Sequence, residues 1–231
     1  MNKQILCLSG WGQKFDSLEF IFNEANFDPF FVSSFDYLQF DNFDKFVSNF
    51  QSQNLNPEIV IGWSLGGQNA LRLIEAEIIK PKLLILIAPP FQMVKNEKIK
   101  AAMAKNTFEE FYNNFTNAPD RTLKQFAVLT AMNDKNASQI AKNLDICDKN
   151  FKQLKFWLEE LKSFTCFDLN FQKTPKTLFF QGLGDMITHE SQAQYFKKNI
   201  QDFQLNTFKN CGHAPHLNDL EKFRKIVLNN L

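Results

Sequence analysis

Short apolar runs alternate along this chain with longer segments of helical spacing, and no other feature of the sequence restricts its fold as strongly. Ile5–Leu8, Phe30–Ser33, Ile59–Trp63, Leu83–Ala88, Thr177–Gln181 and Phe203–Phe208 are rich in β-branched and aromatic residues and read as strands. Phe15–Ala25, Asn42–Gln53, Leu65–Ile79, Glu190–Asn199 and Leu220–Asn230 carry apolar residues at helical spacing, the last preceded by a capping-box pattern, Asn218-x-x-Glu221. Such alternation predicts an α/β fold, a mostly parallel sheet of about six strands with crossover helices on both faces.

One stretch breaks the rhythm. From Pro89 to about Phe171 no convincing strand occurs, and four helical patterns run near 107–115, 121–133, 137–147 and 151–164. Thr107-x-x-Glu110 and Asn136-x-x-Gln139 supply two helix starts, and Pro89-Pro90 ends the strand before them. At 231 residues the chain is long for one average domain and short for two. A single domain over 1–231, with a helical cap inserted at about 89–171 above the carboxyl ends of the strands, fits that length. Ligands of open α/β sheets bind at those strand ends.

Composition removes several function classes. A formal net charge of +1 with 22% charged residues is neither a basic nucleic-acid binder nor a disordered tail. Phe supplies 27 of the aromatic residues, enough large side chains for a deep apolar interior. Cys7, Cys147, Cys166 and Cys211 are scattered without a CxxC pair or a histidine at finger spacing, so reduced structural thiols are expected and no metal site. No phosphate-cradling glycine loop is present, and no cofactor is expected. The first apolar run, Ile5–Leu8, is too short for a signal-peptide core or a membrane span, which gives the expectation of a cytoplasmic monomer away from membranes.

The glycines converge on one place. They stand at 10, 12, 62, 66, 67, 182, 184 and 212, each at or just beyond the carboxyl end of an expected strand. One such cluster would be an ordinary turn; four would meet along one sheet edge, where close backbone approach needs residues without a Cβ. The central cluster, Gly62-Trp63-Ser64-Leu65-Gly66-Gly67, is a G-x-S-x-G between a strand and a helix, the context of a nucleophile elbow with Ser64 at its tip.

A serine hydroxyl needs a base in reach and a carboxylate to orient that base. Of the three histidines, His213 in Cys211-Gly212-His213 follows the last strand, as the chain order Ser, acid, His requires; His189 opens a helix and His216 lies three residues further on. The acid should follow the preceding strand, which selects Asp185 in Gly182-Leu183-Gly184-Asp185, with Asp168 as the alternative. Acyl transfer also needs donors for a developing oxyanion, and the backbone N–H groups of Leu65 and of Trp11 in Ser9-Gly10-Trp11-Gly12 are the candidates. Trp11 can also wall the acyl pocket.

With these residues the chain resembles the α/β-hydrolases, and within them the BioH type, the pimeloyl-[acyl-carrier protein] methyl ester carboxylesterases of biotin synthesis. The closer likeness lies in Gly10-Trp11-Gly12, Gly62 to Gly67, His213-Ala214-Pro215 and the cap stretch Asp120 to Leu129. The resemblance implies a serine carboxylesterase that removes a methyl ester from a carrier-bound dicarboxylate. It also implies cap cations that hold the acidic acyl-carrier protein, with Arg121 in a matching place and Lys142 where an arginine is usual. Lys124, with Lys95, Lys98, Lys100 and Lys105 against Glu97, adds to a basic side. Ser9 stands where the type commonly has histidine. The rival readings are a general short- or medium-chain carboxylesterase or thioesterase, and a non-catalytic small-molecule-binding protein on the same fold. Retention of Ser64, Asp185 and His213 in order weighs against the last.

Overall fold

The computed structural model describes residues 3–23, 25–144 and 150–231; Cys147 and the end of the helix expected at 137–147 lie outside them. In chain order the elements are β1 (Lys3–Leu8), α1 (Asp16–Glu19), β2 (Phe30–Ser34), α2 (Phe43–Ser52), β3 (Ile59–Trp63), α3 (Leu65–Glu75) and β4 (Leu83–Ile87). Four helices follow, α4 (Lys105–Asn117), α5 (Pro119–Thr130), α6 (Ala137–Asn143) and α7 (Phe151–Ser163). The chain then returns to the sheet with β5 (Lys176–Gly182), α8 (Ala193–Asn199), β6 (Phe203–Phe208), α9 (Pro215–Asn218) and α10 (Leu220–Leu228).

The six strands pair in the order β2-β1-β3-β4-β5-β6, and every pairing is parallel. Parallel strands are buried on both faces, so they read as continuous apolar runs rather than alternating ones. Leu83-Leu84-Ile85-Leu86-Ile87 shows this, with all five residues buried. Their side chains divide between two cores. Leu84 and Leu86 join Leu6, Leu8, Val60 and Phe179 under α2, α3, α8 and the helices that follow β4, whereas Leu83, Ile85 and Ile87 join Ile5, Ile61 and Phe180 against α1 and α10. The register sets Gly62 beside Leu8 on one side and Leu86 on the other, so the glycine-bearing ends come together at one edge.

Several elements differ from expectation. The run 15–25 forms only one short helix, α1, followed by tighter turns at Phe20–Phe22 and Ala25–Phe27. Asn23 and Asn26 are poor helix formers, and the rings of Phe15, Phe22 and Phe27 pack on one another instead of lining a helical stripe. α3 stops at Glu75, beyond which Glu77 takes a left-handed φ of 57°. Thr107 does not start a helix: α4 begins two residues earlier, after Ala104, without a side-chain cap. Asn136 precedes α6 but makes no capping bond. Asn218 does not cap α10 either; Asp219 does, accepting from the Lys222 N–H, because the Asn218 amide is engaged elsewhere.

Candidate active site

The elbow follows from crowding. A Cβ on Gly62 would stand 2.6 Å from Gly67 Cα, and one on Gly66 would stand 2.1 Å from the Leu8 carbonyl oxygen. Only glycine lets β3 turn into α3 against β1. Ser64 sits at the turn with φ 53° and ψ −119°, a backbone region that a side-chain-bearing residue enters at a cost of about 1–3 kcal/mol. Its backbone is over-determined: its N–H donates to the Ile87 carbonyl at 2.8 Å, and its carbonyl accepts from the N–H groups of Gly67 at 2.9 Å and Gln68 at 3.3 Å.

Beyond the ends of β5 and β6 lies a buried acid–base pair. His213 Nδ1 and Asp185 Oδ2 are 2.7 Å apart, and both side chains are essentially excluded from solvent. Asp185 Oδ1 accepts from the Ile187 and Thr188 N–H groups at 2.8 and 2.9 Å, while Gln181 Nε2 donates to Oδ2 at 3.2 Å. Fixed donors of this kind hold a carboxylate in one orientation. A carboxylate on Nδ1 puts the neutral ring's proton there and leaves a lone pair on Nε2. Nε2 is buried and has no hydrogen-bond partner among the described residues.

Trp63, next to Ser64, donates from its indole N–H to the His213 carbonyl at 2.9 Å, which ties the histidine loop to the elbow. The His213 N–H in turn donates to the Thr130 carbonyl at the end of α5, also at 2.9 Å.

The loop after β1 closes the other side. A Cβ on Gly10 would touch the Trp63 ring at 3.3 Å and Ser64 Cβ at 3.6 Å, so this loop lies directly on the elbow. Tyr37 donates its hydroxyl to the Ser9 carbonyl at 2.6 Å, holding the loop backbone although Ser9 itself departs from the usual histidine. The N–H groups of Trp11 and Leu65 donate no hydrogen bond among the described residues. The Trp11 indole donates to the Leu154 carbonyl at 2.8 Å, and its ring meets Phe111, Phe115 and Phe126 edge-on. Trp11 and Ser64 share a narrow cavity whose other walls are apolar, Met93, Met103, Phe108 and Phe126 among them.

The remaining candidates fall outside this cluster. Asp168 is exposed in a single turn, Cys166–Asp168, and makes no hydrogen bond to His213, so the alternative acid is set aside. His189 caps the turn at Glu190–Gln192 and is exposed. His216 is fully buried, and burial holds its pKa down to about 3. Arg121 and Lys124 are exposed on α5 along an open groove with Val128, Leu129 and Met132; Lys142 is exposed on α6 and lines no part of it. Lys105 faces Glu109 at 3.9 Å, so the basic side is less one-signed than its lysine run implied. Cys7, Cys166 and Cys211 are buried free thiols whose pKa burial pushes up. No helix among the described residues is long and apolar enough to cross a membrane.

Sequence reasoning missed three residues of this site: Gln181 on the acid, Trp63 on the histidine loop and the Thr130 carbonyl beneath it. Gln181 left a trace, as a polar residue ending an apolar strand. The other two act through a ring N–H or a carbonyl, and neither leaves a pattern in sequence.

An all-parallel α/β sheet with a strained serine at a strand-to-helix turn, beside a buried Asp–His pair, defines a serine hydrolase of the α/β-hydrolase class. The family model Hydrolase_4, described as serine aminopeptidase, S33, matches residues 29–221, and the chain belongs to that family. Among individual proteins, the pimeloyl-[acyl-carrier protein] methyl ester esterase of Aromatoleum aromaticum is 30% identical over 180 residues, 73% of this chain and 72% of that protein. The enzyme of the same name from Nitrosospira multiformis is 28% identical over 175 residues, 73% of this chain and 66% of its own length. The chain thus spans about two thirds of the length of these relatives. In fold, an esterase from Exiguobacterium antarcticum superposes with a TM-score of 0.84 at 18% identity, covering 99% of this chain and 91% of that one.

Proposed function

We propose that this chain is a carboxylesterase that hydrolyses the methyl ester of a carrier-bound dicarboxylate, pimeloyl-[acyl-carrier protein] methyl ester, with Ser64 as nucleophile, His213 as base and Asp185 as the orienting acid. The observation that carries the chemistry is the buried His213–Asp185 bond of 2.7 Å, with His213 Nε2 left without a hydrogen-bond partner among the described residues. Ser64 Oγ attacks the ester carbonyl and its proton passes to Nε2. The oxyanion takes the N–H groups of Trp11 and Leu65, which have no other acceptor among the described residues. Methanol leaves with the proton from Nε2, and water deacylates Ser64 by the same relay in reverse.

The substrate rests on two further points. The relatives named for the pimeloyl ester match over most of the chain. On α5, Leu129 belongs both to the outer groove carrying Arg121 and Lys124 and to the inner cavity carrying Ser64. A carrier docked on the helices at 89–171, which act as the cap, would feed its acyl chain past Leu129 into an apolar cavity. Hydrolysis there creates a carboxylate among apolar walls, and the cost of burying that charge drives the product out.

The test compares one pimeloyl methyl ester free and carrier-linked, in the wild type and in Ser64→Ala. Carrier-linked substrate should give the higher kcat/KM, Ser64→Ala should remove activity on both, and a fluorophosphonate should label only the wild type. Equal kcat/KM on the two esters would move the assignment to a general esterase, and wild-type rates in Ser64→Ala would end the mechanism.

A further inference from the structure

The turn that leaves α5 touches both loops carrying the acid–base pair. Thr130 accepts the His213 N–H, as described. A Cβ on Gly212 would stand 2.5 Å from the Met132 carbonyl oxygen and 2.7 Å from that of Thr130, so the histidine loop lies flat on this turn. Asn133, at a φ of 71°, donates from Nδ2 to the Gly184 carbonyl at 2.8 Å, and the Gly184 N–H donates to Cys211 at 2.9 Å. Asp134 completes the ring: its Oδ1 accepts from Asn218 Nδ2 at 2.5 Å, and the same amide donates to the Asn210 carbonyl at 2.9 Å. His213 lies between Asn210 and Asn218, so this one amide gathers both ends of its loop onto the Asp134 carboxylate.

We propose that Asp134, acting through Asn218, is a positioning residue that sets the His213 loop in register with Asp185 and the elbow. This inference rests on the esterase reading above. Asp134 is 9% exposed, and its second oxygen is buried against Gly212, where a Cβ would stand 3.1 Å from it. Burial pushes its carboxyl up from the ordinary value, the Gly212 N–H, the Asn218 amide and the Cys211 thiol pull it back, and the neighbouring Asp185 charge adds a smaller push upward. A second carboxylate close to Asp185 is an unfavourable choice for a link that only holds a turn in place. It is a sound choice where a short, charge-assisted bond must fix a loop whose displacement by about 1 Å would misalign the base. α5 carries the groove cations at its start and this turn at its end, so the proposed docking face and the base are joined by one helix.

The experiment measures kcat and KM on a short p-nitrophenyl ester, with melting temperature as the control for folding, in the full chain. Asp134→Ala and Asn218→Ala should each lower kcat about tenfold with KM within about twofold. The double variant should be no slower than the slower single one, because both remove one bond. Asp134→Asn, which keeps an acceptor at Oδ1 but loses the charge, should recover part of the rate. Asn218 is half-buried, so Asn218→Ala decides the matter even where Asp134→Ala fails to fold. Wild-type kcat in folded Asn218→Ala, losses that multiply in the double variant, or Asp134→Asn no better than alanine would each overturn the proposal. Fluorophosphonate labelling of the wild type at Ser64 separates the two failures: without it the esterase reading falls as well, and with it only the clamp does.

Discussion

Two histidines three residues apart have opposite surroundings, and burial governs the ionisation of His216. His213 faces a carboxylate; His216 Nε2 donates to the Ser17 carbonyl at 3.0 Å, its Nδ1 is buried without a partner, and its ring packs on Trp63 at 4.9 Å. Burial lowers the His216 pKa from 6.5 to about 3, with the nearby His213 acting in the same direction. Between those two values the unfolded chain binds a proton that the native protein does not. The stability this group supports is therefore present above pH 6.5 and lost as pH falls toward 3, with a slope of up to about 1.4 kcal/mol per pH unit. His216→Gln keeps a donor for Ser17 and removes the titrating site. Urea unfolding from pH 7 to pH 4 should show a shallower loss in the variant than in the wild type; parallel curves would mean that His216 is protonated in the native state. In the sequence, chain order and the preceding Gly212 favoured His213, and the contrast in burial with His216 did not show, since burial is a property of the three-dimensional neighbours.

At the scale of elements, the strands were legible because parallel pairing demands continuous apolar runs, and β1 to β6 all lie where those runs lie. The elbow was legible for a related reason: Gly62 and Gly66 are steric necessities, and necessity shows in sequence. The first helix and three of the caps were not. Phe15, Phe22 and Phe27 fit a helical stripe as well as they fit a cluster of rings, and Asn218 has capping spacing whether or not its amide is claimed by Asp134. The elbow also allows a graded test. Gly66→Ala drives a Cβ into the Leu8 and Ser9 carbonyls, backbone atoms that carry the Trp11 loop. It should cost about 3 kcal/mol, the upper end of overpacking, and remove esterase activity even below its melting temperature. Gly10→Ala meets the Trp63 ring at 3.3 Å and should cost less than half as much. Calorimetry on the two variants checks the ranking, and a well-folded, active Gly66→Ala would show that β1 and α3 can separate at the elbow.

For the whole molecule, the sequence offered seven lysines and arginines as partners for an acidic carrier, and the fold sorts them by position. Arg121 and Lys124 share a groove with Val128, Leu129 and Met132, and Leu129 also lines the cavity that holds Ser64; Lys142 stands apart on α6. Charge in sequence says nothing about which cations share a face with an opening, so this sorting had to come from the packing of α5. An acidic partner that delivers an acyl chain past Leu129 must sit on the groove, where its charges meet Arg121 and Lys124. Replacing both by alanine should weaken carrier-linked turnover by about 1–2 kcal/mol in kcat/KM, with the loss shrinking as salt screens the wild type. Lys142→Ala should have a smaller effect, and a short free ester should be hydrolysed at the wild-type rate by all three proteins. The discriminating measurement is kcat/KM for the carrier-linked and free esters at two ionic strengths. If Lys142→Ala costs more than the double variant, the carrier approaches over α6 and the acyl chain does not enter past Leu129. Equal losses on both esters would mean that Arg121 and Lys124 support α5 itself, since a partner's contribution vanishes when the partner is absent.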